Sequence, residues 1–185
     1  MDWFNEPPYW RTESDLLLVT TGDKTDFWRE THYGFIRDSG HLRFEHRSGD
    51  FTAEVTFTGA YQELYDQAGL MLRLDEGHWI KAGVEFVHGR RLLSCVVTRS
   101  MSDWSIVPVF DAPDPLRLRL TRQRGAVRVE WAPIGGTFET LRLAYFPPSN
   151  PVLIGPMCCS PQRTGFEARF SGFRIGPAIE RGLHE

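Results

Sequence analysis

Apolar and polar residues alternate with a period of two along most of this chain, while a helical period is hard to find. That feature constrains the fold more than any other. Phe51, Ala53, Val55 and Phe57 share one face of a strand pattern, with Thr52, Glu54, Thr56 and Thr58 on the other. Ala68, Leu70, Leu72 and Leu74 alternate with Gln67, Gly69, Met71 and Arg73, and Ile80, Ala82, Val84 and Phe86 alternate with Trp79, Lys81, Gly83 and Glu85. Residues 116–120, 127–131, 141–145 and 166–170 repeat the pattern, and 16–20, 41–46, 104–110 and 152–158 carry weaker versions of it. Turn-forming residues separate the runs: Ser48-Gly49-Asp50, Asp75-Glu76-Gly77, His88-Gly89, Arg124-Gly125 and Gly135-Gly136. The count comes to about a dozen short strands, more than one open sheet usually holds, so the sequence predicts an all-β sandwich of two packed antiparallel sheets.

Length and charge narrow the class. At 185 residues the chain fits one domain, and no composition shift or low-complexity tract divides it. Pro147-Pro148-Ser149-Asn150-Pro151 reads as a loop between strands. A net charge of −3 supplies no field for nucleic acid or anionic lipid, so neither is expected as a partner. The stretch from Met1 to Pro8 lacks a basic n-region and an apolar h-region, and no apolar run approaches the ~20 residues of a membrane helix. Cys95, Cys158 and Cys159 make a poor disulfide framework and lack zinc-site spacing, and Cys95 reads as a buried strand thiol. A cytoplasmic, reduced protein is the expectation. Lys24 and Lys81 are the two lysines among 21 basic residues, a skew that reads as nucleotide bias rather than function.

Several ordered blocks carry a resemblance. Trp3-Phe4-Asn5-Glu6-Pro7, Thr25-Asp26-Phe27-Trp28-Arg29-x-Thr31-x-Tyr33-Gly34-Phe35 and Gly49-Asp50-Phe51 come first. Leu64-Tyr65-Asp66-Gln67-Ala68-Gly69-Leu70-Met71, Trp79-Ile80-Lys81-Ala82-Gly83-Val84-Glu85 and Ser102-Asp103-Trp104-Ser105 follow. Together they resemble the regulation-of-enolase protein family, a domain of unknown function. The resemblance implies a concanavalin A-like lectin/glucanase fold, a jelly roll with one concave sheet. It also implies a single domain over 1–185 with its core at about 3–176 and a short C-terminal tail. It carries a fold and hardly any function.

The candidate site follows from the two central strands. With their apolar sets turned to the core, the opposite face carries Gln67, Met71, Arg73, Trp79, Lys81 and Glu85. Trp28, Tyr33, Asp103 and Trp104 in flanking segments could form a rim. Indoles that stack on sugar C–H faces, beside an amide, a cation and a carboxylate, suit a carbohydrate or small polar metabolite. The plain alternative is a half-exposed sheet face held by cross-strand pairs. A second class of reading is a protein–protein module regulating a metabolic enzyme, and the oligomeric state, a homodimer included, stays open. Glycoside hydrolysis needs two carboxyls flanking the bond, and Glu54 with Glu85 is the pair to consider, although no Glu-x-Asp-x-Glu run exists.

Other groups point to no chemistry. His41 and His46 fall on opposite strand faces and, with His32, read as surface or loop residues rather than ligands. The carboxylates of Asp75-x-Gly77 and Asp111-x-x-Asp114 lack the density of a calcium loop, so no metal is expected. No nucleotide-binding or nucleophile-elbow motif occurs, so no cofactor is expected. Arg117, Arg119, Arg122, Arg124 and Arg128 read as a solvated face.

Overall fold

The structure, a computed structural model, describes residues 1–107, 114–180 and 182. Among them sixteen strands form two seven-stranded antiparallel sheets and one small hairpin, with no helix. The first sheet runs β1 (Asp2–Phe4), β6 (His41–Arg47), β15 (Val152–Cys159), β8 (Gln67–Asp75), β9 (His78–Val87), β10 (Arg90–Arg99) and β11 (Met101–Val107). The second runs β14 (Glu139–Tyr145), β13 (Ala126–Pro133), β12 (Leu116–Gln123), β7 (Phe51–Gly59), β16 (Glu167–Gly176), β3 (Leu16–Thr20) and β2 (Tyr9–Glu13). The hairpin pairs β4 (Phe27–Arg29) with β5 (Ile36–Asp38). The alternating stretches are the strands of the sandwich, and residues 146–151 are the loop joining β14 to β15. The pattern predicted over 104–110 lies in β11 as far as Val107, and the rest falls outside the described residues.

Alternation places the core. Ala68, Leu70 and Leu72 of β8 and Ile80, Ala82 and Val84 of β9 meet Phe51, Ala53, Val55 and Phe57 of β7 and Leu116, Leu118 and Leu120 of β12 between the sheets. Each large aliphatic or aromatic chain buried there contributes about 1.5–3 kcal/mol. Two-residue turns with both residues at positive φ, His88-Gly89 and Arg124-Gly125, close the β9–β10 and β12–β13 hairpins with a twist that suits the strands.

The first sheet is apolar on its outer face as well. Met71, Trp79, Val96 and Met157 point away from the sandwich, and an antiparallel sheet wet on one side would leave them in water. Residues 21–40 cover them as a strap. Phe27 and Trp28 pack on this second cluster, with the Phe27 and Trp79 rings 6.1 Å apart. Gly40 has to be glycine here, because a Cβ would stand 2.3 Å from the Phe27 ring. Arg29 N–H donates to Ser102 Oγ (3.0 Å) and Arg29 Nε to Ser100 O (3.1 Å), fastening the strap to β11 and the turn before it.

Two histidine and arginine readings change. His41 is buried, its Nε2 accepting from the Gly22 amide (3.0 Å) and its Nδ1 bonded to Asn5 O (2.6 Å), because the strap closes over the start of β6. His32 and His46 are exposed. Arg122, far from being solvated, is buried and donates to Asn150 Oδ1 and to the carbonyls of Gly49, Pro147 and Ser149, so it ties the proline-rich loop down. Arg119 is paired in two places with Glu130 on the outer face of the second sheet.

In the middle of the outer face of the first sheet Gly69 and Gly83 stand opposite each other in register. A Cβ on Gly83 would lie 2.0 Å from Ala68 O, and one on Gly69 would lie 1.9 Å from Ala82 O. Gly83→Ala should therefore lose about 1–3 kcal/mol through overpacking, read as a lower urea midpoint. Gly176→Ala, with no atom within 4 Å of the added carbon, is the neutral control. Equal midpoints for the two variants would show that the strands do not approach as closely as described.

Candidate functional site

The bare glycine pair and the strap together leave a recess. Strand register sets its floor in rows: Cys159, Gln67 and Glu85; then Met157, Gly69, Gly83 and Ser94; then Gly155, Met71, Lys81, Val96 and Trp104. Next comes the covered row of Arg73, Trp79, Thr98 and Ser102. The strap ends above the third row, where Asp26 and Trp28 form one wall and Tyr33 overhangs. Tyr65, just before β8, and Trp104 on the edge strand β11 form the other. The recess has about 40 Å³ of room for water-sized groups, within about 350 Å³ of empty space that includes its open mouth.

Three polar side chains are sunk beneath this aromatic rim: Gln67, Lys81 and Glu85 are each only 4–5% exposed. Lys81 Nζ donates to Phe27 O (2.7 Å) and to Asp26 Oδ1 (3.2 Å). Burial works against its charge, but Asp26 and, further off, Glu85 outweigh that and raise its pKa above the ordinary lysine value. Glu85 is served by neutral donors. Trp104 Nε1 donates to Oε2 (2.8 Å), and Gln67 Nε2 donates to Oε1 (3.4 Å) and to Tyr65 O (3.0 Å). Burial raises the Glu85 pKa, and Lys81 with the Ser94 and Trp104 hydrogen bonds only partly offsets it. Across the mouth the Tyr33 and Tyr65 hydroxyls are 3.0 Å apart. That bond first, then burial and the nearby carboxylates, push the Tyr65 phenol up to about 12.

The residues named from sequence are divided by the fold. Gln67, Lys81, Glu85, Trp28, Tyr33 and Trp104 line one recess. Trp79 does not reach it: the ring is 1% exposed beneath Phe27, with its Nε1 donating to Glu76 O (3.1 Å). Asp103 lies one residue from Trp104 and therefore on the other face of β11, exposed at the sheet edge and opposite Val97. Glu54 is on β7 in the other sheet, paired there with Arg174 and Arg119. The two sheets stand about 10 Å apart and each carboxylate is on an outer face, so Glu54 and Glu85 cannot flank one bond. Asp75 accepts from the Gly77 amide and pairs with His78, while Asp111 lies outside the described residues.

Asp26 and Tyr65 are the lining residues that alternation could not find, since both precede strands. Their signal was in the sequence all the same, inside the Thr25-Asp26-Phe27-Trp28 and Leu64-Tyr65-Asp66-Gln67 blocks. A larger hollow, about 470 Å³, lies on the outer face of β2, β3 and β16. Its charged residues Arg11, Glu13, Glu167 and Arg169 are all exposed, and Arg11 pairs with Glu13. It contains no sunken polar group, so the smaller recess is the better site. Among the described residues no group of three or more His, Cys, Asp or Glu is placed to hold a metal ion, and no helix is long and apolar enough to cross a membrane.

Two antiparallel sheets with a recess on an outer face define a concanavalin A-like sandwich, the fold class of lectin and glucanase domains. The chain belongs to the family described as "Protein of unknown function (DUF1349)", whose model matches residues 3–178. It is 42% identical over 183 residues to Regulation of enolase protein 1 of Saccharomyces cerevisiae, covering 99% of this chain and 92% of that protein. The crystal structure of a functionally unknown protein from Saccharomyces cerevisiae matches it with a TM-score of 0.92 at 41% identity over 97% of each chain. Likeness of fold alone extends further. A GH43 protein from Bacillus licheniformis matches at TM-score 0.72 and 14% identity, over 94% of this chain and 36% of that one. A legume lectin-like domain from Entamoeba histolytica matches at 0.62 and 9%, over 96% and 90%.

The raised pKa of Glu85 has a testable consequence. A carboxyl that holds its proton more tightly in the folded than in the unfolded chain contributes stability at low pH. That contribution is lost as pH climbs from the ordinary carboxylate range through the folded value. Glu85→Gln keeps the shape and removes the titration. The melting temperature of the variant relative to wild type should therefore rise between pH 4 and pH 8. A difference that stays flat or falls over that range would contradict the assignment. The Lys81 pKa is raised as well, so its contribution is also lost as pH rises, but only in strongly alkaline solution.

Proposed function

We propose that this protein binds a carbohydrate or comparable small polar metabolite in the recess formed by Asp26, Trp28, Tyr33, Tyr65, Gln67, Lys81, Glu85 and Trp104. The observation that carries the reading is the burial of an amide, an ammonium and a carboxylate beneath four aromatic side chains. Charged groups sunk in this way rarely add net stability, since well-packed apolar residues of the same size usually do as well or better. A ligand gives them a purpose. Indole and phenol faces accept the C–H side of a sugar, and Gln67, Glu85 and the two tyrosine hydroxyls answer its hydroxyl groups. The GH43 protein and the lectin-like domain support a carbohydrate through fold alone, which is an analogy.

The shape favours a pocket over a groove. The strap covers the row that holds Arg73 and Trp79, so an extended chain has no path across the sheet from that end. A single sugar unit, or the end of an oligosaccharide, is the expected ligand. At 100 times its dissociation constant such a ligand stabilises by ~2.7 kcal/mol. At ~2–4 °C per kcal/mol, the melting temperature of the pure protein should rise by roughly 5–11 °C. Monosaccharides should do as well as the matching tetrasaccharides, and Glu85→Gln should reduce the shift. A flat screen over sugars and small polyols would remove the reading. Release of free sugar from an oligosaccharide, lost in the same variant, would instead make the recess hydrolytic, with Asp26 as the second carboxylate.

A second reading has its own support. Tyr33, Phe35 and Ile36 on the tip of the β4–β5 hairpin are 38–48% exposed, a patch suited to docking on another protein. The name of the yeast relative points to enolase as the partner to try. Pull-down of enolase by this protein, lost on Phe35→Ser but kept in Glu85→Gln, is the result that would favour it over the pocket.

A further inference from the structure

We propose that the recess selects ligands that carry a positive charge, a protonated primary amine on a small hydroxylated frame, with the ammonium seated against Glu85 inside the box of Tyr33, Tyr65 and Trp104. The proposal rests on the ligand-binding reading above and names the chemistry that the site would prefer.

Of the described side chains lining the recess, Asp26 and Glu85 are acids and Lys81 is the single cation. Lys81 is already committed: its Nζ lies 3.2 Å from Asp26 Oδ1 and 2.7 Å from Phe27 O. The hydrogen bonds to Glu85 thus come from neutral donors, the Trp104 indole at 2.8 Å, the Gln67 amide at 3.4 Å and the Ser94 hydroxyl. A carboxylate so placed is only 5% exposed, and the one cation acting on it, Lys81, is bound to Asp26 and only partly offsets its burial. A buried acid in that position either keeps its proton or waits for a cation, because burying an uncompensated charge is costly.

The walls favour the cation. Tyr65 and Trp104 meet edge to face at 85° with their centroids 6.3 Å apart, and Trp28 and Tyr33 meet at 73° and 5.8 Å. Aromatic rings lining a small space favour ammonium groups over anions wherever their π faces are reached. The room of about 40 Å³ in the recess accepts a group the size of a few waters, which fits a primary ammonium and disfavours a bulkier headgroup. Its three N–H donors would find the Glu85 carboxylate and the Tyr33 and Tyr65 hydroxyls, while the frame behind it occupies the open mouth. A phosphate or carboxylate on the ligand would face two acids and would be rejected.

The test is a matched series titrated calorimetrically at pH 7.5 against the full chain: glucosamine, glucose, N-acetylglucosamine and glucose 6-phosphate, with ethanolamine and ethylene glycol as the smallest pair. Each amine should bind about tenfold or more tightly than its uncharged partner, and the phosphate should not bind. In Glu85→Gln the amine should fall to the level of the neutral sugar. Trp104→Phe, an exposed edge position, serves as a second variant and should weaken the amine without affecting the fold. Neutral sugars binding as well as or better than the amines would overturn the charge selection and leave the carbohydrate reading standing. No binding by any member would overturn both.

Discussion

Lys81 and Asp26 form the contact on which the rest of the architecture depends. One comes from the centre of a sheet and the other from a loop 55 residues earlier, and their ion pair pins residues 21–40 across the sheet. The lysine also holds the Phe27 carbonyl, which fixes the neighbouring ring over Trp79. An ammonium buried this deeply needs its partners, and the apolar strap needs the ammonium to set its height. Charge and packing therefore support each other. Where the strap stops, the sheet is left open, and that boundary is the recess.

A bare patch of backbone lies between the row of Gln67 and Glu85 and the row of Met71 and Lys81. Paired glycines bring β8 and β9 together so closely that no side chain fits, and the polar residues on either side lean over that patch. Aromatic groups then close the rim. The result is a site in which polar groups are dry but not saturated, an arrangement that sacrifices some stability to keep hydrogen-bonding capacity and charge in reserve.

Most of the sandwich could be read from the chain because its strands have one inner face, and a period of two reports such a face directly. The strands β1, β2, β4 and β5 escaped that reading for the same physical reason. Two are edge strands with little burial, and the other two belong to the strap, whose contacts are with an outer face. Faces were legible and neighbours were not. Gln67, Lys81 and Glu85 could be put on one surface from their parity alone, but nothing in the alternation said that a distant segment would bury Trp79 with them. Nor could parity tell that Glu54 belonged to the opposite sheet, since Thr52-Glu54-Thr56 looks the same in either. Asp26 and Tyr65, in loops, have no periodicity to betray them.

The span of the strap contacts bears on the order in which the molecule assembles. Asp26 reaches Lys81 across 55 residues, the Arg29 amide reaches Ser102 across 73, and the Ser160 amide reaches Thr25 across 135. Closing such long loops is entropically costly and is rewarded only once the strands they join are in place. Residues 21–40 come before β8 to β11 and β15 in the chain, yet they have nothing to dock on until those strands have paired. The recess is thus a late product of folding, and a chain that holds a ligand there has already completed its sheets.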